Sequence, residues 1–116
     1  MLLNLLAEED ESNRVDQIMQ RGVLDVFHDV IQLNERAIQA ESLWGLSNIA
    51  CHSQETLTQL INHKVFTNIE DALNSPSVAV GREARHVVHN VLTSITSSKQ
   101  LVSFMASSRD LLKAYF

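Results

Sequence analysis

The chain has 116 residues, 45% of them hydrophobic, with 14 acidic against 9 basic side chains and a net charge of -5. That allows one domain with a modest core, disfavours a phosphate-tracking nucleic-acid binder and suits a basic partner. A mean hydropathy of -0.03 gives no sign of a membrane protein, and the single Cys51 excludes an internal disulfide framework and fits a reducing compartment.

One proline and three glycines leave little material for the turn chemistry of a β-protein, and period-two alternation never persists, so the chain is expected to be all-helical. Met1–Leu6 is apolar but too short to span a bilayer. Glu8, Glu9 and Asp10 follow where a signal peptide would continue its apolar run, so the segment reads as the end of a helix. Ser12 suits an N-cap for a short helix to about Arg21, which Gly22 interrupts. A second helix is expected from about Val23 to Leu33, with Val23, Phe27, Val30 and Ile31 inward. After Asn34, a long third helix runs from about Glu35 to Cys51. Ser53 and Thr56 open the next short helix, to about His63, and Val65–Leu73 forms another. Asn74-Ser75-Pro76-Ser77 is a break, because the residue before proline is pushed out of helical geometry. A second long helix covers about Val78–Thr96. Ser97 or Ser98 caps Lys99–Ala106, and Ser108 caps a last helix, Arg109–Phe116.

Two segments repeat. Ile18–Ala50 overlays Leu60–Leu92 without a gap at a shift of 42 residues, which matches Val23 with Val65, Asp29 with Asp71, Ala37 with Ala79, Glu41 with Glu83 and Asn48 with Asn90. Trp44 falls on His86, and Asn4, within Leu-Leu-Asn-Leu-Leu, ends an earlier copy. A purely helical period of about 40–47 residues points to armadillo or HEAT units. The expected division is 1–10 as the end of a preceding repeat, 11–52 and 53–97 as complete repeats, and 98–116 as a partial one. A chain that starts and stops inside repeats is expected to be a fragment or truncated product, or to self-associate end to end. Leu2, Leu3, Leu5 and Leu6, and at the other end Phe104, Leu111, Leu112 and Phe116, are the candidate exposed ends.

On the third helix, Leu43, Leu46, Ile49 and Ala50 form an apolar stripe. Glu41, Trp44 and Asn48 form a second line at the same three- and four-residue spacing. A carboxamide both donates and accepts, so Asn48 and Asn90 suit an extended peptide backbone. An indole face takes the alkyl stem and charge of lysine or arginine, at roughly 0.5–2 kcal/mol per contact. Glu41 and Glu83 add negative potential. His86 is the poorer platform, and its protonation would repel a cation.

The three-helix, 42-residue unit with Trp44-Gly45-Leu46-Ser47-Asn48-Ile49-Ala50 on its third helix resembles importin-alpha (karyopherin-alpha), the nuclear import adaptor family. The resemblance covers nearly the whole chain at the level of repeats. At the level of the Trp-x-x-x-Asn motif it is complete only at Trp44 and Asn48. It implies a right-handed superhelical armadillo solenoid that binds linear basic, nuclear-localisation-signal-like peptides. The peptide-binding residues would be Asn4, Glu41, Trp44, Asn48, Glu83, His86 and Asn90. It further implies protein transport between cytoplasm and nucleus, with no cofactor. An importin-beta-type carrier would join only through a basic N-terminal segment that this sequence does not show.

Each assignment has a plainer alternative. Trp44 suits a core position, Asn48 and Asn90 suit helix bridging, and Glu41, Glu83, Asp29 and Asp71 suit solvated faces. His86 and His89 lack a third metal ligand, and Cys51 and His52, as helix neighbours, point apart. No enzymatic motif stands out. The alternative function is an armadillo scaffold, or a self-associating module, without signal-peptide binding.

Overall fold

The computed structural model describes residues 13–107. These form helices and no strand: α1 over 13–20, α2 Val23–Ile31, α3 Arg36–Ala50, α4 Gln54–Asn62, α5 Val65–Leu73, α6 Val78–Ser94 and α7 Ser98–Ser107. Asn4, Ser12, the leucines of the first six residues, Leu111, Leu112, Phe116 and the expected helix Arg109–Phe116 lie outside the described residues.

The helices start and stop where local chemistry dictates. Gly22, between α1 and α2, has φ +83°, a left-handed conformation that costs an L side chain steric strain. Lys64, its repeat equivalent, is right-handed, and there His63 turns the corner in an extended conformation. Ser53 and Thr56 form a reciprocal capping box at 3.1 Å each way. The Thr56 hydroxyl also donates to the Ile49 carbonyl at 2.8 Å, fastening α4 to the end of α3. Ser77 caps α6 by accepting from Val80 N–H, and Ser97 accepts from Gln100 N–H at the start of α7.

Packing recurs every three helices: α2 lies on α5, α3 on α6 and α4 on α7, with the α3–α6 contact the most extensive. The apolar stripe Leu43, Leu46, Ile49 and Ala50 is buried, and Val80, Ala84, Val87, Val88 and Val91 of α6 are buried with it in one core. Ser42 and Ser47 are buried as well. Each returns its hydroxyl to its own helix, to the Ile38 and Trp44 carbonyls, so neither leaves a polar group unsatisfied. In α2, Leu24 and Ile31 are the buried residues, whereas Val23, Phe27 and Val30 are half-buried. Val23 and Phe27 pack inward against that core, as their spacing predicts.

Phe104 corrects the expectation of an exposed end. It is 1% exposed, and its ring meets Phe66 edge-on at 5.7 Å. Gln100 draws α7 onto α4, since its amide donates to Gln54 Oε1 at 2.8 Å and to Thr58 Oγ1 at 3.1 Å.

Candidate functional site

The third helices of the two units, α3 and α6, carry the candidate site. Leu43 and Leu46 are fully buried, yet Trp44 between them is 56% exposed. A step of 100° per residue turns it off the core stripe and onto the line that holds Glu41 and Asn48, both also exposed. The core alternative for Trp44 is thereby set aside. On α6, His86 is exposed and Glu83 and Asn90 are half-buried.

An open groove of about 490 Å³ runs beside the indole, lined by Ala37, Ala40, Glu41 and Trp44 from α3 and by Glu83 from α6. The two alanines keep its floor low. A second cleft of about 450 Å³ adjoins it, lined by Phe27, Ala37, Ile38, Glu41, Ser42, Trp44 and Gly45. Glu41 lines both. Gly45 makes room there, because a Cβ on it would lie 2.8 Å from Phe27 Cζ.

Trp44, Glu41, Asn48, Glu83 and His86 make no side-chain hydrogen bond to the other described residues, so their polar atoms face solvent or a ligand. Asn90 differs. Its Nδ2 donates to the Ser47 carbonyl across the helix pair at 3.1 Å, and lies 4.0 Å from Cys51 Sγ. Ser47 lies in the last turn of α3, where carbonyls lack intrahelical donors, so Asn90 satisfies one of them. Its bridging role is structural, whatever else it does. Asp29 and Asp71 are solvated, and His86 and His89 stand on the exposed surface. Among the described residues no three His, Cys, Asp or Glu side chains converge as metal ligands would.

Two features of this region did not emerge from reading the sequence. Arg82, Arg85 and His89 are all exposed, at positions where α3 carries the half-buried Ala40 and the buried Leu43 and Ser47. The 42-residue overlay already pairs Leu43 with Arg85. The other feature is two histidine–aspartate ties, one within the first unit and one between the units. His52 Nε2 lies 3.5 Å from Asp16 Oδ1, and His63 Nε2 lies 2.7 Å from Asp25 Oδ1. His63 Nδ1 accepts from Val65 N–H at 2.9 Å, so its Nε2 carries the proton and donates to Asp25. That hydrogen bond, more than the nearby Lys64 charge, holds the Asp25 carboxyl below its ordinary pKa. His28 meets His63 edge-on at 6.4 Å, with its Nδ1 2.8 Å from the Asn68 amide.

No family model, no curated protein and no solved structure matches the chain.

Proposed function

We propose that the chain is a pair of armadillo-type repeats that binds an extended peptide carrying a basic side chain across α3 and α6. The observation that supports this most is the exposure of Trp44 beside Glu41 and Glu83. A large apolar ring left 56% exposed forgoes its burial energy. With carboxylates from two helices lining the same groove, it offers an alkyl stem a stacking surface and a cation two counter-charges. Asn48, exposed and without a partner among the described residues, supplies a donor and an acceptor to the ligand backbone. The packing of α2 on α5, α3 on α6 and α4 on α7 supports the repeat assignment. With the resemblance to importin-alpha, the ligand class is a nuclear-localisation-signal-like segment and the process is protein import from cytoplasm to nucleus.

The test is a titration of a fluorescent lysine/arginine-rich peptide, with its alanine-substituted version as control. It is run against wild type, Trp44→Ala and Asn48→Ala, each checked for folding by circular dichroism. Selective binding that both substitutions weaken is expected. A folded wild type that does not distinguish the two peptides would overturn the proposal.

One observation favours a scaffold reading: Leu101, Val102 and Met105 of α7 and Ile18, Val26 and Ile38 at the opposite end are exposed apolar residues. Association through them would resist salt, whereas capture of a cation by Glu41 and Glu83 weakens with it. The cationic outer face of α6 disfavours stacking in the repeat register, because Arg85 and His89 stand where α3 offers Leu43 and Ser47.

A further inference from the structure

We propose that the peptide taken by this groove is bipolar, with a lysine or arginine in the Trp44 slot and an aspartate or glutamate two or three residues away on Arg82 and Arg85. This rests on the peptide-binding reading and narrows it. The surface that holds the groove has two charged regions. Toward α3 it presents Glu41 and Glu83 with Trp44 between the helices. On the far side of α6, Arg82, Arg85 and His89 stand at i, i+3 and i+7, all exposed, with His86 at i+4 beside them. The stripe is unusual for its place as well as its charge. The equivalent residues of α3, Ala40, Leu43 and Ser47, lie on the side against which α6 packs, with Leu43 and Ser47 fully buried. In a chain with 14 acidic and 9 basic residues, a cationic line on one face is a local reversal of the overall charge.

The groove line of α6 (Ala79, Glu83, His86, Asn90) and the cationic line are about a quarter turn apart at 100° per residue. On a helix about 10–12 Å across this is roughly 8 Å of surface. An extended chain rises about 3.3 Å per residue, so two or three residues carry it from the indole slot to the guanidinium groups. A wholly basic peptide satisfies Glu41 and Glu83 and then meets like charge at Arg82 and Arg85. A peptide that changes sign along its length meets opposite charge at both places, and the two ends of the surface fix its direction.

The experiment compares fluorescein-labelled peptides of one length with the same central lysines. One has neutral flanks, one an acidic N-terminal flank, one an acidic C-terminal flank and one basic flanks. Fluorescence anisotropy is measured at low and physiological salt. One of the two acidic-flank peptides is expected to bind about threefold to tenfold more tightly than the neutral one, the scale of two solvent-exposed ion pairs, and the basic-flank peptide more weakly. Arg82→Glu/Arg85→Glu should invert that order. Arg82→Gln/Arg85→Gln should flatten it, and serves equally if the charge reversal disturbs folding. If the wild type ranks all flanks alike, or prefers the basic flank, the bipolar ligand is overturned while basic-peptide binding stands. If the neutral-flank peptide does not bind, or Trp44→Ala binds it unchanged, the peptide-binding reading fails and the bipolar ligand with it.

Discussion

Asn48 and Asn90 hold the same repeat position, yet alanine at the two should act differently on stability. Asn48 is exposed and makes no hydrogen bond to the described residues, whereas Asn90 donates to the Ser47 carbonyl at 3.1 Å. In either helix the exchange of asparagine for alanine gains about 0.5 kcal/mol of helix propensity. At position 90 it also removes an interhelical hydrogen bond worth about 0.5–1.5 kcal/mol. The Ser47 carbonyl then keeps only the Cys51 thiol, at 3.4 Å, as its side-chain donor. Asn48→Ala should therefore be more stable than wild type by about 0.5 kcal/mol, and Asn90→Ala should be equal to wild type or less stable by up to about 1 kcal/mol. The propensity gain cancels in the difference between the variants, leaving about 1 kcal/mol, or roughly 4–6 °C in Tm for a domain of this size. Urea denaturation followed by far-UV circular dichroism measures that difference. Equal stability of the two variants, or an Asn90→Ala that exceeds wild type as much as Asn48→Ala does, would refute the bridging role of Asn90. The peptide titration adds the other half, since Asn48→Ala should lose affinity while gaining stability.

Three further outcomes follow from the fold. Phe104→Ala removes a ring that is 1% exposed and stacked edge-on against Phe66, and should cost about 3–5 kcal/mol in urea denaturation. A loss below about 1 kcal/mol would mean that α7 is not held by this ring. Gly22→Ala places a Cβ at φ +83° and should cost about 1–2 kcal/mol, while Lys64→Ala, right-handed at the equivalent corner, should change stability little. A thermal melt of both variants decides this. Asp25 has its pKa depressed below 3.8 in the fold by the hydrogen bond from His63, so its contribution is present above that value and is lost as pH falls through the folded value. Stability–pH curves of wild type and Asp25→Asn should therefore run apart above about pH 4 and converge in stronger acid. Parallel curves throughout would contradict the pairing.

The elements whose limits depend on neighbours in sequence were legible, and those that depend on distant partners were not. Gly22, Ser53 with Thr56, and the Asn74–Ser77 break act within a few residues of themselves, so the helix limits fall within a residue or two of the expected ones. Phe104 was misread because nothing near it says that Phe66 stands opposite. The Asp25–His63 tie spans 38 residues and carries no local signature at all. Trp44 lies between these cases. Periodicity sets it beside the core stripe, and only the packing of α3 on α6 decides that its ring stays outside. Asn90 had two open roles for the same reason, and the carbonyl it satisfies belongs to a helix 43 residues earlier.

Comparison of α3 with α6 turns on what each must meet. Leu43 and Ser47 are buried because α6 packs over them, and a larger or charged side chain at either would push the two helices apart. At the same places α6 carries Arg85 and His89, which no described element covers. Burying them under a third helix would require desolvating a guanidinium without a built partner, a penalty of several kcal/mol. Any further helix laid on that face in the repeat register would have to bring a polar or acidic partner for Arg85. Because the same helix also lends Glu83 to the Trp44 groove, the surface changes sign across α6. The proposed extended ligand, crossing from α3 to α6, would cross that change, and its charge sequence, rather than its total positive charge, would govern the fit.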